Sequence, residues 1–293
     1  MRSRRWSFTP AGCKALFLLA GLALSFPVAA ELRVLDDRGK ELLLAAPAQR
    51  IVTLAPSLAE LAYAAGAGEK LVGVSAWSDY PEAAKKLPQI GGYGKIDLER
   101  LLRLRPDLVI GWRSGNAPGD LERLEKLGIP LYVTEAQHLA DIPRQIEAIG
   151  RLAGTSTQAQ QAATSFRREL GELERRHAGA RPVSVFYQIW HRPLITVNGS
   201  HLIAEAIRLC GGVNPYEALP ALTPTVSLES LLAADPAVIV AGDAVGYWRR
   251  YPQLAAVRNN GLFSINPDFL NRATPRLLQG ARELCAALEK TRN

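Results

Sequence analysis

Four large aromatic side chains and one oppositely charged pair are the groups in this sequence best suited to holding a ligand. Trp77 lies in Ser75-Ala76-Trp77-Ser78-Asp79-Tyr80-Pro81, and Tyr93 in the glycine cluster Gly91-Gly92-Tyr93-Gly94. Trp112 lies in Gly111-Trp112-Arg113-Ser114-Gly115-Asn116, and Trp190 in the second half of the chain. Each follows a predicted strand or sits in a loop. Such rings suit a planar, largely apolar partner, each stacked contact adding roughly 0.5–1.5 kcal/mol beyond simple burial. A tryptophan in a loop also serves as a packing lid, so the argument rests on four at comparable places. Asp268 and Arg272, in Pro267-Asp268-Phe269-Leu270-Asn271-Arg272, offer charge-assisted hydrogen bonds to ligand amides. The alternative is an internal pair that only braces its loop.

Catalytic patterns are missing from the sequence. It has no G-x-S-x-G, no phosphate-cradling G-x-x-x-x-G-K-[ST] and no H-E-x-x-H. The four histidines, His138, His177, His191 and His201, lack metal-ligand spacing and read as core or solvated groups. No basic stripe interleaved with aromatics points to nucleic acid.

The elements that must position these residues read as an α/β chain. Short β-rich runs occur at Ile51-Val52-Thr53-Leu54, Leu71-Val72-Gly73-Val74, Asp107-Leu108-Val109-Ile110 and Pro130-Leu131-Tyr132-Val133. A second series holds Val183-Ser184-Val185-Phe186 and Ala237-Val238-Ile239-Val240. Pro56-Ser57 opens a helix with Leu58, Leu61 and Ala62 on one face, stopped at Gly66. Between the two series, residues 156–177 carry Ala159, Ala162, Ala163, Phe166, Leu170 and Leu173 at helical spacing. This segment reads as a helix linking two lobes, with a crossover helix inside one sheet as the alternative.

An internal repeat favours two lobes. Residues 96–110, IDLERLLRLRPDLVI, align without gaps on residues 226–240, VSLESLLAADPAVIV. Each copy has a capping residue (Asp97, Ser227), then Leu-Glu, a Leu-Leu pair, and a proline leading into an apolar strand. The paired glutamates, Glu99 and Glu229, fall in the first turn of their helices, where the helix dipole favours negative charge. Two roles are open for them: helix stabilisation alone, or a two-point clamp for a two-subunit partner. In open α/β sheets ligands bind beyond the carboxyl ends of the strands. Aromatics at those ends would therefore line a cleft between lobes.

Residues 1–30 read as a signal peptide. Arg2, Arg4 and Arg5 precede an apolar run from Ala15 to Leu24, and Pro27-Val28-Ala29-Ala30 supplies small residues for cleavage near Ala30. The apolar run is short of the ~20 residues a spanning helix needs. Ser3-Arg4-Arg5 also hints at twin-arginine export. The full chain has 35 Lys+Arg against 28 Asp+Glu. Removing the leader takes four basic residues and leaves a net charge of +3. It also leaves two cysteines, Cys210 and Cys285. An exported protein with two remaining thiols invites a disulfide, the alternative being two separate buried thiols.

At these residues the chain resembles the periplasmic cobalamin-binding proteins of cobalamin ABC importers, within the wider group that binds siderophores, haem and corrinoids. The resemblance runs through RIVTLAPSLAELAYAAGA, VGVSAWSDYP, DLERLLRLRPDLVIGWRSGN, LCGGVNPY, VSLESLL and DFLNRATPR. It implies two Rossmann-like α/β lobes (31–154 and 181–293), one long rigid helix joining them (155–180), and a ligand cleft between. It implies a monomeric periplasmic carrier with no chemistry and no cofactor of its own, whose transported ligand is cobalamin. By position, Trp77 and Trp112 match aromatics that contact the corrin, Tyr93 stands where the family has a tryptophan, and Trp190 lies near an aromatic of the second lobe. Asp268 and Arg272 match polar ligand contacts, and Cys210 and Cys285 the family's disulfide. Glu99 and Glu229 match glutamates that meet arginines on the permease dimer in the inner membrane. Thr223 departs from the pattern, standing where a family example carries a tryptophan. Two rival functions follow. One is a haem carrier of the same fold using Tyr93 as iron ligand; the other is an exported enzyme or chaperone of corrinoid salvage.

Overall fold

In the computed structural model the described residues are 31–92 and 94–292, with Ser3 and Trp6 from the leading segment. The expected signal peptide and its cleavage point lie otherwise outside them, as does Tyr93. Among the described residues, no helix is long and apolar enough to cross a membrane.

The first half begins with a hairpin, β1 (Leu32–Leu35) and β2 (Glu41–Leu44). It continues through β3 (Ile51–Thr53), α1 (Pro56–Ala64), β4 (Leu71–Val74), the two-residue strands β5 (Gly91–Gly92) and β6 (Lys95–Ile96), and α2 (Leu98–Arg103). It ends with β7 (Leu108–Trp112), α3 (Pro118–Lys126), β8 (Leu131–Thr134) and α4 (Asp141–Ala153). Helix α5 (Ser156–His177) follows, with the bounds the apolar spacing predicts. The second half runs β9 (Val183–Tyr187), α6 (Leu202–Leu209), β10 (Gly212–Val213), α7 (Leu228–Ala234), β11 (Val238–Ala241), α8 (Ala255–Arg258), β12 (Leu262–Ser264), α9 (Pro267–Asn271) and α10 (Leu277–Arg292).

Each half builds a four-stranded parallel sheet, in the order β4-β3-β7-β8 and β10-β9-β11-β12. Numbered within its own half, each sheet reads second-first-third-fourth. The repeat seen in the sequence is therefore a repeat of topology, and β7 and β11 occupy the same place in their sheets. Strands β8 and β9 belong to different sheets, which removes the reading of α5 as a crossover within one sheet. Strands β3, β4, β7, β8, β9 and β11 are short and almost fully buried, as parallel strands covered on both faces must be, while β10 and β12, at the two edges of the second sheet, are partly exposed.

Helix α5 ties the lobes together. Ala159, Ala163, Phe166, Leu170 and Leu173 form its buried stripe, and it packs against α4 of the first lobe and α6 and α10 of the second. Arg167 holds Glu147 of α4 through two hydrogen bonds, at 2.6 and 2.9 Å, while Glu169 meets Arg282 of α10. The core of the first lobe runs on into the second, since Leu58 and Leu61 share one buried cluster with Leu202, Leu277, Leu278 and Ala281. In the second lobe Cys210, at the end of α6, is bonded to Cys285 of α10. Closing a loop of 75 residues stabilises the fold by about 4–5 kcal/mol on the loop-entropy argument.

Candidate functional site

A cavity of about 860 Å³ lies between the lobes. Its first-lobe wall comes from the start of α1 (Pro56, Ser57, Leu58, Leu61), the end of β7 (Trp112 to Ser114) and the segment after β8 (Glu135 to His138). Its second-lobe wall comes from Gly199 to Leu202, Glu205 and Arg208, from Leu222, and from Leu270 to Ala273. These walls sit at the carboxyl ends of β3, β7 and β8 in one lobe and after β9 and β12 in the other, where α/β sheets bind ligands. The volume is near the top of the usual range for ligand pockets, about 300–1,000 Å³.

Trp112 is held in this wall by its whole motif. Its backbone N–H donates to Asn116 Oδ1 at 2.7 Å, and Asn116 Nδ2 donates onward to Leu54 O at 2.9 Å. Its indole Nε1 donates to Glu135 Oε1 at 3.1 Å, and Glu135 also accepts from Ser114 N–H at 2.9 Å. Gly115 lies so close under the ring that an added Cβ would fall 1.8 Å from the indole. Any larger residue would push the ring aside, which accounts for a glycine in GWRSGN. Asp37, in the β1–β2 turn, braces the same wall from behind. It accepts from Thr134 Oγ1, Glu135 N–H and Arg144 Nη1, each at 2.7 Å. Burial opposes the Asp37 charge, but these donors outweigh it and hold its carboxyl below the ordinary value.

Arg272 lines the cavity too. The internal pair with Asp268 is present at 3.1 Å, and it is one part of a larger network. Arg272 Nη1 donates to Glu60 Oε1 at 3.0 Å and to Asp79 Oδ1 at 2.7 Å, and Nη2 approaches the Trp77 carbonyl at 3.4 Å. Glu60, only 3% exposed, also takes two hydrogen bonds from Arg276, one of them at 2.9 Å. The Arg276 guanidinium lies 4.1 Å from the ring centre of Tyr80 and 5.5 Å from that of Phe269, one ring from each lobe. Burial disfavours charge on Asp79, yet the Arg272 hydrogen bond and charge pull its carboxyl below the ordinary value.

The remaining sequence candidates fall at different distances from the cavity. Trp77 stands 68% exposed with its backbone at φ 66°, a left-handed conformation that is costly for a bulky residue. It does not line the cavity, but its carbonyl contact with Arg272 places it at the edge. Trp190 is 62% exposed, its Nε1 donating to Arg192 O at 3.0 Å, and it is also absent from the lining. Tyr93 is outside the described residues. Its neighbour Gly92 joins Ser75, Ala76 and Trp112 around a second small hollow. Thr223 is exposed and adjoins Leu222 of the wall. Sequence reading missed Glu60, Asp79, Glu135, Glu205 and Arg276. Glu60 left a signal, as a lone charge within the apolar Leu58-Ala59-Glu60-Leu61-Ala62.

Glu99 and Glu229 occupy matching places. Asp97 accepts from Arg100 N–H at 2.9 Å and Ser227 from Ser230 N–H at 3.1 Å, so both predicted caps form. Both glutamates point to solvent, away from any core. Glu99 pairs with Arg103 one turn on, at 2.7 Å; Glu229 has Ala233 there instead. A hydrogen bond with its own backbone amide, then one with Ser227, holds Glu229's carboxyl below the ordinary value. Among the described residues no three His, Cys, Asp or Glu side chains gather to hold a metal ion.

This is a two-lobed solute-binding architecture with its cleft at the carboxyl ends of two equivalent sheets. Residues 51–266 match the periplasmic binding protein family, and the chain belongs to that family. It is 39% identical over 248 residues to the vitamin B12-binding protein of Vibrio cholerae, covering 83% of this chain and 90% of that one. Against the vitamin B12-binding protein of Yersinia pestis it is 39% identical over 245 residues, 81% of this chain and 85% of that one. The crystal structure of periplasmic BtuF of Vibrio cholerae superposes with a TM-score of 0.80 at 38% identity, covering 84% of this chain and 99% of that one. A periplasmic haem-binding protein of Roseiflexus gives 0.74 at 26% identity, with the same coverage. Each of these relatives is named for the solute it binds.

Proposed function

We propose that this periplasmic protein captures cobalamin in the cleft between its lobes and delivers it to an ABC importer. The observation that carries the reading is the indole of Trp112, fixed by Glu135, Asn116 and Gly115 in the wall of an 860 Å³ cavity. A rigid ring facing a large, partly apolar space favours a flat ligand and loses little entropy on binding. The B12-binding relatives support a corrinoid over haem.

In this reading Trp77 closes over the corrin from the cleft edge, and Tyr93 and Trp190 supply further rings to it. Arg272 and Asp268 present hydrogen-bonding groups to the corrin's amides while holding the lobes together. Glu99 and Glu229 meet arginines of the two permease subunits. The mature chain begins near residue 31, functions as a monomer, and divides into 31–154, 155–180 and 181–293. Purification from the periplasm of cells fed cobalamin, followed by a visible spectrum and mass spectrometry of bound material, tests the function. One corrinoid per chain is the expected result; bound haem or no chromophore would reject it.

A further inference from the structure

The two lobes touch across the cleft through two carboxylates that occupy matching positions in the repeat. Glu60 lies on α1, the helix after the first strand of its sheet. It reaches Arg272 and Arg276, which follow the fourth strand of the other sheet. Glu205 lies on α6, again the helix after the first strand. It reaches back to the segment after the fourth strand of the first lobe, accepting from Leu139 N–H at 2.9 Å and standing 3.6 Å from His138 Nδ1. Each lobe therefore grips the other with a glutamate from the same helix, at the same kind of target.

The two grips are unequal. Glu60 is buried, with two permanent cations on it, and Arg276 is sandwiched between rings of both lobes. Removing Glu60 would leave Arg276, which has no other carboxylate among the described residues, as an uncompensated half-buried charge. Glu205 is 32% exposed, holds one neutral amide, and faces an imidazole that is 70% exposed. His138 and Glu205 line the cavity, whereas Glu60 and Arg276 do not.

We infer that Glu60 and Glu205 are a pseudo-symmetric pair of interlobe latches, and that the weaker Glu205 latch is the edge that parts to admit and release the ligand. The Glu60 latch stays shut and acts as the pivot. The pairing itself stands on the geometry of the two grips; the gating role rests on the reading of the cleft as the ligand site.

Spin labels test the pair directly. One pair, at Ala140 and Ala218, reports on the Glu205 edge; the other, at Lys86 and Gln279, reports on the Glu60 edge. All four positions are exposed. Electron–electron resonance on the ligand-free protein should give a broad Ala140–Ala218 distance distribution that narrows with cyanocobalamin, and a narrow Lys86–Gln279 distribution throughout. Equal breadth at both edges, or breadth at Lys86–Gln279, would overturn the assignment. Stopped-flow release gives a second reading. E205A should speed cyanocobalamin dissociation roughly tenfold, the worth of one hydrogen bond to a charged group, with an unchanged melting temperature. E60A should melt at lower temperature; where E60A does not fold, E60L/R276M, which removes Glu60 together with Arg276 and leaves Arg272 on Asp79 and Asp268, keeps a folded protein to examine. Its Lys86–Gln279 distribution should broaden, and one as narrow as in the unaltered protein would show that the edge does not depend on this latch. An unchanged release rate in E205A would reject the gating role. Failure of the unaltered protein to bind cyanocobalamin would sink the cobalamin reading, while the distances in the free protein would still decide the latches.

Discussion

The two lobes share one topology and differ in how each completes it. Both sheets run second-first-third-fourth, and both place a capped helix with an exposed glutamate before the third strand. Beyond the third strand they part. The first lobe turns Trp112 into the cavity on a loop with no slack. The second folds a 3₁₀ segment, Asp243–Arg250, whose Trp248 is buried against Phe186 and donates to Gln188 at 2.8 Å. The same scaffold position thus holds a cavity wall in one lobe and core in the other. What the repeat fixes is the location of the cleft; which lobe supplies rings to it is decided by a few loop residues.

The contrast can be broken most sharply at the exposed glutamates. Glu99→Arg with Glu229→Arg should abolish vitamin B12 uptake in cells while leaving the affinity measured by calorimetry unchanged; normal uptake would remove the docking role. The next effect is on the walls. Trp112→Ala should weaken cyanocobalamin binding about 10- to 100-fold, from lost burial and stacking. Trp190→Ala, at an exposed ring outside the cavity, should cost less than about fivefold; a reversal of the two would place the ring-bearing wall in the other lobe.

The stabilising devices differ as well. Only the second lobe carries the disulfide, so replacing both cysteines by serine should lower its unfolding free energy by about 2–5 kcal/mol in denaturant titrations. The last contrast, visible only in acid, concerns helix starts. α6 is capped by His201, whose Nδ1 accepts from Ile203 N–H at 3.1 Å, whereas α1 begins with a proline and no side-chain cap. Burial pushes the His201 imidazole down to about 4, from an ordinary value near 6.5. The unfolded chain therefore binds the extra proton first. Stability should fall as pH drops from about 6.5 to about 4, with a slope of at most ~1.4 kcal/mol per pH unit. His201→Asn keeps a cap and should flatten that slope in thermal melts.

Much of the frame was legible because local signals carried it. Helix α5, the six strand cores, the caps Asp97 and Ser227 and the repeat are all set by residues near one another in sequence. The β1–β2 hairpin, β10 and β12 were missed: β3, β4, β8 and β11 are as short but lie in continuous apolar runs rich in β-branched residues, whereas LRVL, ELLL, GV and LFS are interrupted by charge, poor in such residues or too brief. The placement of Trp112 followed from its position at a strand end. The tie between the lobes did not, because Glu60 and Arg276 are 216 residues apart and nothing local pairs them. Arg272 was legible as a polar group of the cleft but not as a hub for Glu60, Asp79 and Asp268 together.

The most direct test is a calorimetric titration of the mature protein with cyanocobalamin, repeated with haemin and with Trp112→Ala. The account predicts one tight corrinoid site per chain and a clear loss of affinity in the variant. Haemin binding more tightly than cyanocobalamin, or a titration indifferent to Trp112, would contradict it.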